Sequence, residues 1–396
     1  MFSRPPYAKV KYISAQIASM RIAFVSLMRA FPWAGSEELW FRTAQYAIAS
    51  GHTVCTLTQR WEKTPEKLET LRLLGAELNF YDAARYTIAE KVAIKLAIKR
   101  NVADVVPDVA ADVYFFSNGS TWDFLYYAQI TKQVIGHGKP YVILSQHNFE
   151  NGHILKEEQR RYALQVMTKA TKLMFVSERN RQAAERQMGA RIDKFSVVNN
   201  PINITQVDVK QYPASATLLM ACVARLECDF KGQDVLLQAL SSTKWDERNF
   251  TLKLYGAGPH LSHLQYLIAL YELQNKVFIE GHVRDVDAIW VENQVLILPS
   301  ISEGTPLALV ECMLSGRAAV TTDVGDNGRY VIDGVTGYLA LTCSVSSIDE
   351  SLERLWTNRD NLKRMGEAAF HHASAITDFR PEETVFRLIE SGMSEK

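Results

Sequence analysis

The sequence lacks most of the features that would assign a chain to a class at sight. It contains no apolar run of about 18 residues, the length at which a spanning helix becomes the natural reading, so no spanning helix is expected. Its five cysteines show no Cys-x-x-Cys spacing and its histidines are scattered, which argues against a zinc ligand set and a disulfide framework and makes a reducing cytoplasm the expected setting. The Gly-x-Gly-x-x-Gly turn of dinucleotide oxidoreductases is missing. So are the Gly-x-x-x-x-Gly-Lys-Ser/Thr loop of nucleotide triphosphatases and the Gly-x-Ser-x-Gly elbow of acyl transfer. Neither sign of charge dominates: 44 Lys and Arg balance 44 Asp and Glu, so nothing global points to nucleic acid as a partner.

What is present reads as two globular units. A chain of 396 residues exceeds what one ordinary core organises, and two domains of about 200 residues are the simpler expectation. The first 19 residues lack a solid apolar signal core and read as a weakly ordered extension, residues 1–19. Short apolar runs then recur with helical stretches between them: RIAFVS (21–26), HTVCTLT (52–58), DVYFFS (112–117), PYVILSQ (140–146), KLMFVS (172–177) and FSVVNN (195–200). After a polar stretch the rhythm restarts with TLLMACVA (217–224), FTLKLYG (250–256), KVFIEG (276–281), QVLILPS (294–300) and AAVTT (318–322). This is the pattern of parallel sheets covered by helices. It divides the chain into a first Rossmann-like domain at 20–205, a linker at 206–214, a second at 215–375, and a C-terminal helical segment at 376–396 expected to pack back on the first.

The most informative stretch is LILPSISEGTPLALVECMLSGRAAVTT, residues 296–322. A β-branched and leucine run ends at Pro299. Thr305 looks like an N-cap and Pro306 like a first helical residue, giving a helix from Pro306 to about Ser315 with Gly316 as its left-handed stop. Strand, loop and helix start place 302–306 in the crevice beyond a strand's carboxyl end, where open α/β sheets bind ligands and free helix N–H groups attract electron-rich oxygens. Glu303 faces that crevice. Glu311, alone in an apolar helix, must either meet a hydroxyl-rich ligand or accept a structural hydrogen bond.

Other strand ends add to the set. FPWAGSEEL (31–39) puts Gly35 and Ser36 before a helix, where backbone can approach a phosphate. ARLECDFKGQDVLLQAL (224–240) puts Arg225 and Lys231 in the loop after a strand, a fixed fork and a movable point charge suited to a diphosphate; solvated surface cations are the plainer alternative. YGAGP supplies Gly256 and Gly258, and GHVRD supplies a tight turn around Val283; both are either simple turns or places where backbone approaches a base or ribose. His147, at the end of the 140–146 run, would face the cleft from the first domain.

Taken together, AGSEE (34–38), VSERNR (176–181), the Arg225–Lys231 stretch, YGAGP, the carboxylate pair in SEGTPLALVE (302–311) and GVTGYL (334–339) resemble the retaining glycosyltransferases of family 4. The resemblance runs over most of the chain from Met20 onward. It implies an α/β architecture of the GT-B type, two Rossmann-like doubly wound domains facing each other across a cleft. By resemblance, Glu311 would accept hydrogen bonds from the donor's ribose. Glu303 would stand near the transferred sugar, with Gly304, Thr305, Pro306 and Leu307 near its hydroxyls and phosphate. Arg225 and Lys231 would hold the departing diphosphate, Gly35 would sit against the distal phosphate, and His147 would touch the sugar. Ala34 and Arg329 depart from the family pattern, which often has a glycine and a glutamate there.

The implied reaction is transfer of a glycosyl group, a hexosyl group in the first instance, from a nucleotide-diphosphate sugar to an acceptor hydroxyl with the anomeric configuration kept. No metal or other cofactor is expected, the donor being a substrate and the cations taking the leaving group's charge. A front-side route, in which the leaving phosphate takes the acceptor's proton, leaves Glu303 without a covalent role. An epimerase, a glycan phosphorylase or a non-catalytic nucleotide-sugar binding protein could use the same cleft. The acceptor would be a saccharide or a lipid-linked sugar of glycan, polysaccharide or glycolipid synthesis. In the helical pattern of 86–101, Lys91, Lys95 and Lys99 form a basic stripe. It is either a solvated face or a peripheral contact with the cytoplasmic side of an anionic membrane.

Overall fold

The computed structural model describes residues 19–28, 31–82, 106–152 and 154–394. The basic stretch 86–101 and nearly all of the N-terminal extension lie outside the described residues.

Two parallel sheets organise the chain. The first contains β1 (Arg21–Ser26), β2 (Thr53–Gln59), β3 (Glu77–Tyr81), β4 (Val113–Asn118), β5 (Tyr141–Ser145), β6 (Lys172–Phe175) and β7 (Phe195–Val197), in the order β3-β2-β1-β4-β5-β6-β7. The second contains β8 (Leu218–Val223), β9 (Phe250–Tyr255), β10 (Val277–Gly281), β11 (Val295–Leu298), β12 (Ala318–Thr322) and β13 (Gly337–Ala340), in the order β10-β9-β8-β11-β12-β13. Both are doubly wound. In each, the order reverses between the first and fourth strands, β1 beside β4 and β8 beside β11, and that reversal opens a crevice at the strands' carboxyl ends.

The central strands are buried on both faces, which is why they read as continuous apolar runs rather than alternating ones. Two apolar layers flank each sheet. Tyr114, Phe116, Ile143 and Met167 lie on one side of the first and Phe24, Trp40, Phe115 and Leu144 on the other. Leu252, Leu236, Trp245 and Leu352 lie on one side of the second and Leu296, Leu309, Tyr330 and Ala369 on the other.

Several expectations need correction. β3 and β13 were not in the strand set read from sequence: Glu77–Tyr81 is an edge strand with mixed polar residues, and Gly337–Ala340 is only four residues long. The helix after β11 spans Leu307–Leu314, because Pro306 stays extended (ψ 122°) and itself occupies the N-cap. Thr305 does not cap it; its hydroxyl donates across to the carbonyl of Val176 at 2.6 Å. The polar 206–214 stretch is irregular but tied down. Lys210 N donates to Ser315 O, and the fully buried Arg317 guanidinium donates to the carbonyls of Lys210, Gln211, Asn293, Ser315 and Gly316.

The last helix, Pro381–Ser394, leaves the second sheet and returns to the first. There Val385, Phe386 and Ile389 are buried with Trp40, Ala44 and Leu144, and the Phe386 ring packs against Tyr46 and His52.

Candidate active site

The two crevices face each other and enclose a cavity of about 550 Å³. The first half contributes Met28, Phe31 and the Gly35–Ser36 turn after β1, Ser120 and Asp123 after β4, and His147 and Phe149 after β5. The second contributes Arg225, Phe230 and Lys231 after β8 and the 302–307 loop after β11. Of the residues singled out in the sequence, His147, Arg225, Lys231, Glu303, Gly35, Ser36, Gly304, Thr305, Pro306 and Leu307 therefore meet in one place.

Four others do not line it. Gly256 and Gly258 lie behind the Arg225 loop. A Cβ on Gly258 would stand 2.3 Å from Leu226 O and one on Gly256 2.0 Å from Ala224 O, so their task is to let two backbones touch. Val283 packs with the apolar residues around Tyr255 and Trp290. Glu311, only 3% exposed, accepts from Asn203 N at 2.8 Å, the structural hydrogen bond that was one of its two readings. Burial raises its pKa, and the Asn203 hydrogen bond opposes that shift.

Both cations in the cavity have carboxylate partners. Lys231 Nζ lies 2.5 Å from Glu303 Oε1, and Ser300 Oγ donates to the same oxygen at 2.7 Å. Arg225 spreads its guanidinium over the Phe31 ring and has Glu227 beside its Nε at 3.2 Å. Gln233 Nε2 holds the Arg225 carbonyl at 2.7 Å, and Leu226 N donates to Ala257 O, so the loop carrying the cation is fixed from both sides. His147 Nε2 lies 2.8 Å from Ser302 Oγ across the cleft. Burial pushes the His147 pKa down to about 4, with Lys231 adding to that shift and Glu303 opposing it, so the imidazole is neutral at ordinary pH.

Beneath the Gly35–Glu37 turn lies a carboxyl that sequence reasoning did not single out. Glu37 is 3% exposed, with Ser26 Oγ and Trp40 Nε1 donating to its Oε2 at 2.6 and 2.9 Å. Burial pushes its pKa up to about 7, and those two hydrogen bonds oppose the shift.

The halves also meet around the cavity. VSERNR supplies Arg179, whose guanidinium reaches Glu150 on its own half (2.8 Å) and Asp323 on the other (2.6 Å), while Gly325 N donates to Glu150 Oε1 at 2.9 Å. Gly304 sits against Gln146 O, where a Cβ would be 2.3 Å away. Ser120, Asp123, Phe149, Phe230 and Arg179 were not assigned roles from sequence. The Asn118-Gly119 pair at the end of β4 is the signal that would have flagged the first two.

Residues 207–372 match the family model described as Glycosyl transferases group 1. Among curated relatives, the D-inositol 3-phosphate glycosyltransferase of Nocardia farcinica is 27% identical over 231 residues, 54% of this chain and 51% of that protein. The putative colanic acid biosynthesis glycosyltransferase WcaL of Escherichia coli K12 is 31% identical over 146 residues, 35% of this chain and 36% of its own. These matches span about a third to a half of the relatives' lengths. A glycosyltransferase from Rickettsia africae superposes with a TM-score of 0.71 at 16% identity, covering 96% of this chain and all of that one. Anabaena HepE, solved with UDP-glucose, superposes at 0.69 and 17% identity, covering 95% and 100%. The chain has the GT-B fold, two Rossmann-like α/β units across a cleft.

Proposed function

We propose that the protein is a glycosyltransferase that moves a sugar from a nucleotide-diphosphate sugar to an acceptor hydroxyl with retention at the anomeric carbon. The observation that carries this reading is the convergence, in one interdomain cavity, of Arg225 and Lys231 from the second half with Glu303 and the neutral His147. The matched family model and the named glycosyltransferase relatives support the reaction class. HepE's complex with UDP-glucose supports a nucleotide-sugar donor.

Breaking the sugar–phosphate bond puts positive character on the anomeric carbon and negative charge on the departing diphosphate. Lys231 and Arg225 stand where that negative charge would grow, held in place before the reaction, which is the condition under which a cation lowers a barrier rather than merely tightening binding. Glu303, buried and already bonded by Lys231 and Ser300, orients sugar hydroxyls and keeps Lys231 in register. His147, neutral and fixed on Ser302, offers the transferred sugar a hydrogen-bonding nitrogen without adding a cation beside the forming oxocarbenium centre. The acceptor's proton goes to the leaving phosphate on the same face. No protein carboxylate is then required as a nucleophile.

The acceptor is a saccharide or lipid-linked sugar of cytoplasmic glycan or polysaccharide synthesis. No helix among the described residues is long and apolar enough to cross a membrane. The deciding experiment incubates the protein with a panel of UDP-, GDP- and ADP-sugars and hexoside acceptors and follows nucleoside diphosphate release. The product's anomeric proton is then read by NMR. Acceptor-dependent release with retained configuration is the expected result; sugar interconversion without release, or inversion, overturns it.

A further inference from the structure

The cavity wall next to His147 is aromatic, and it is built from both halves. Phe149, two residues beyond His147, places its ring 4.9 Å from the imidazole in an edge-on arrangement. Across the cleft Phe230, the residue before Lys231, lies 5.2 Å from Phe149 and 6.4 Å from His147, centroid to centroid. Both phenylalanines line the cavity, yet Phe149 remains 38% exposed, so one of its surfaces is left open. An aromatic ring partly bared within a cavity lined by hydrogen-bonding groups offers an apolar surface to a ligand held there.

The surroundings say what kind of surface. Phe230 is tied to the loop bearing Ser302 and Glu303 through its carbonyl, which accepts from Ile301 N at 2.8 Å, whereas Phe149 comes from the other half. Hydrogen-bonding groups line the same cavity as the two rings, which are tilted 46° to each other: Ser302, His147, Lys231 and Glu303. A pyranose has the complementary surface, a face of axial C–H groups edged by equatorial hydroxyls. The C–H face lies on the electron-rich ring while the hydroxyls reach the polar rim.

We propose that Phe149, backed by Phe230, is a stacking platform for the ring of a neutral hexopyranose acceptor, assembled only when the two halves are closed. The inference rests on the glycosyl-transfer reading and specifies its acceptor. Because Phe149 belongs to the first half and lies beyond His147 toward solvent, it takes the sugar that receives, and Lys231 with Arg225 takes the one that leaves.

The test uses the full chain, Phe149→Ala, Phe149→Trp and Phe230→Ala. Nucleoside diphosphate binding is measured by calorimetry with UDP, GDP and ADP. Saturation-transfer NMR with methyl β-glucoside, methyl β-galactoside and methyl α-mannoside is then run in the presence of whichever nucleotide binds. The parent protein is expected to saturate protons on one face of at least one glycoside. Phe149→Ala should weaken that glycoside about tenfold, the change made by roughly 1.4 kcal/mol, with nucleotide affinity unchanged. Phe149→Trp should restore it, and Phe230→Ala should give an intermediate loss.

Nucleotide binding without any glycoside response, or a response indifferent to Phe149→Ala, overturns the platform and leaves glycosyl transfer standing. Equal loss of nucleotide and glycoside binding in Phe149→Ala assigns the ring to holding the halves together instead, which also overturns the platform. If none of the three nucleotides binds, the glycosyl-transfer reading fails and the platform fails with it.

Discussion

Lys231 Nζ stands 2.5 Å from Oε1 of Glu303, so the cation proposed for the diphosphate and the carboxylate proposed for the sugar neutralise each other before any ligand arrives. The pairing offsets the desolvation of Glu303, whose side chain is 8% exposed, since an unpaired buried charge would carry a large penalty. It also links their fates. A sugar that draws Glu303 into its hydroxyls frees Lys231 for the phosphate behind it.

Replacing Lys231 with alanine should depress turnover by about 10²–10³-fold at saturating donor, the size of effect seen when one fixed donor to a developing negative charge is removed. Arg225→Ala should do the same. Steady-state kinetics with circular dichroism melts decides it: near-normal kcat in both variants would remove the pair from the mechanism.

Glu311 gives a different signature. Its oxygen accepts from Asn203 N, so Glu311→Ala should destabilise the fold by about 0.5–1.5 kcal/mol, the net worth of one hydrogen bond. Glu311→Gln, which retains an acceptor, should stay near the parent in denaturant unfolding. A loss of donor affinity in Glu311→Gln without any change of midpoint would instead support the ribose role.

The buried Glu37 should make stability pH-dependent in an unusual direction. Its folded pKa is pushed up to about 7, above the ordinary carboxyl range near about 4.3. The folded state therefore binds the proton more tightly. The resulting stabilisation is fully present below the unfolded pKa and is lost as pH rises through about 7. Glu37→Gln should be more stable than the parent at pH about 8 and lose that advantage progressively as pH falls toward about 4. Urea midpoints across that range test it; parallel curves for the two proteins would contradict the assignment.

His147 runs the other way. Burial lowers its pKa to about 4, so at pH below its unfolded value the unfolded chain gains a proton that the folded one refuses. The neutral imidazole's contribution is present above that value and lost as pH falls through about 4. An NMR titration of the His147 ring should accordingly show no protonation step near neutrality; a step near pH about 6.5 would refute this.

Arg179 links Glu150 and Asp323 across the cleft, but all three side chains are 28–40% exposed, so each ion pair contributes little to stability. Arg179→Ala should change the unfolding midpoint only slightly while letting the halves part. Small-angle scattering should then show a larger radius of gyration, an increase that the parent reproduces at high salt. Identical scattering from both proteins at low salt would leave the closure to Thr305 and His147.

The sheets were legible in the sequence because their central strands are buried on both faces and so appear as unbroken apolar runs, as in RIAFVS and AAVTT. Edges were not, since β3 carries Glu77 and Asn79 on a half-exposed ladder. The site was legible where chemistry and strand end coincide, as at Arg225, Lys231 and Glu303. It was not where a residue's meaning comes from the opposite half. Thr305 looks like a helix cap until the Val176 carbonyl is seen 2.6 Å from its hydroxyl, and Phe149 is one more aromatic until Phe230 meets it. Gly256 and Gly258 mark a strand end, but only the Ala224 and Leu226 carbonyls show that they let two backbones touch.

The return of Pro381–Ser394 to the first sheet bears on how the chain acquires its fold during synthesis. Val385, Phe386 and Ile389 complete an apolar layer whose other members, Phe24, Trp40 and Leu144, are translated long before them. While the second sheet is being made, the first half has all its strands but an uncovered strip along the helix Glu38–Ala49. Domains ordinarily fold as they emerge, N-terminal first, and exposed apolar surface at that stage invites wrong partners. Here the earliest half to emerge is sealed only after the second sheet has been made, so a ribosome that stalls before Pro381 leaves one open seam on the first sheet.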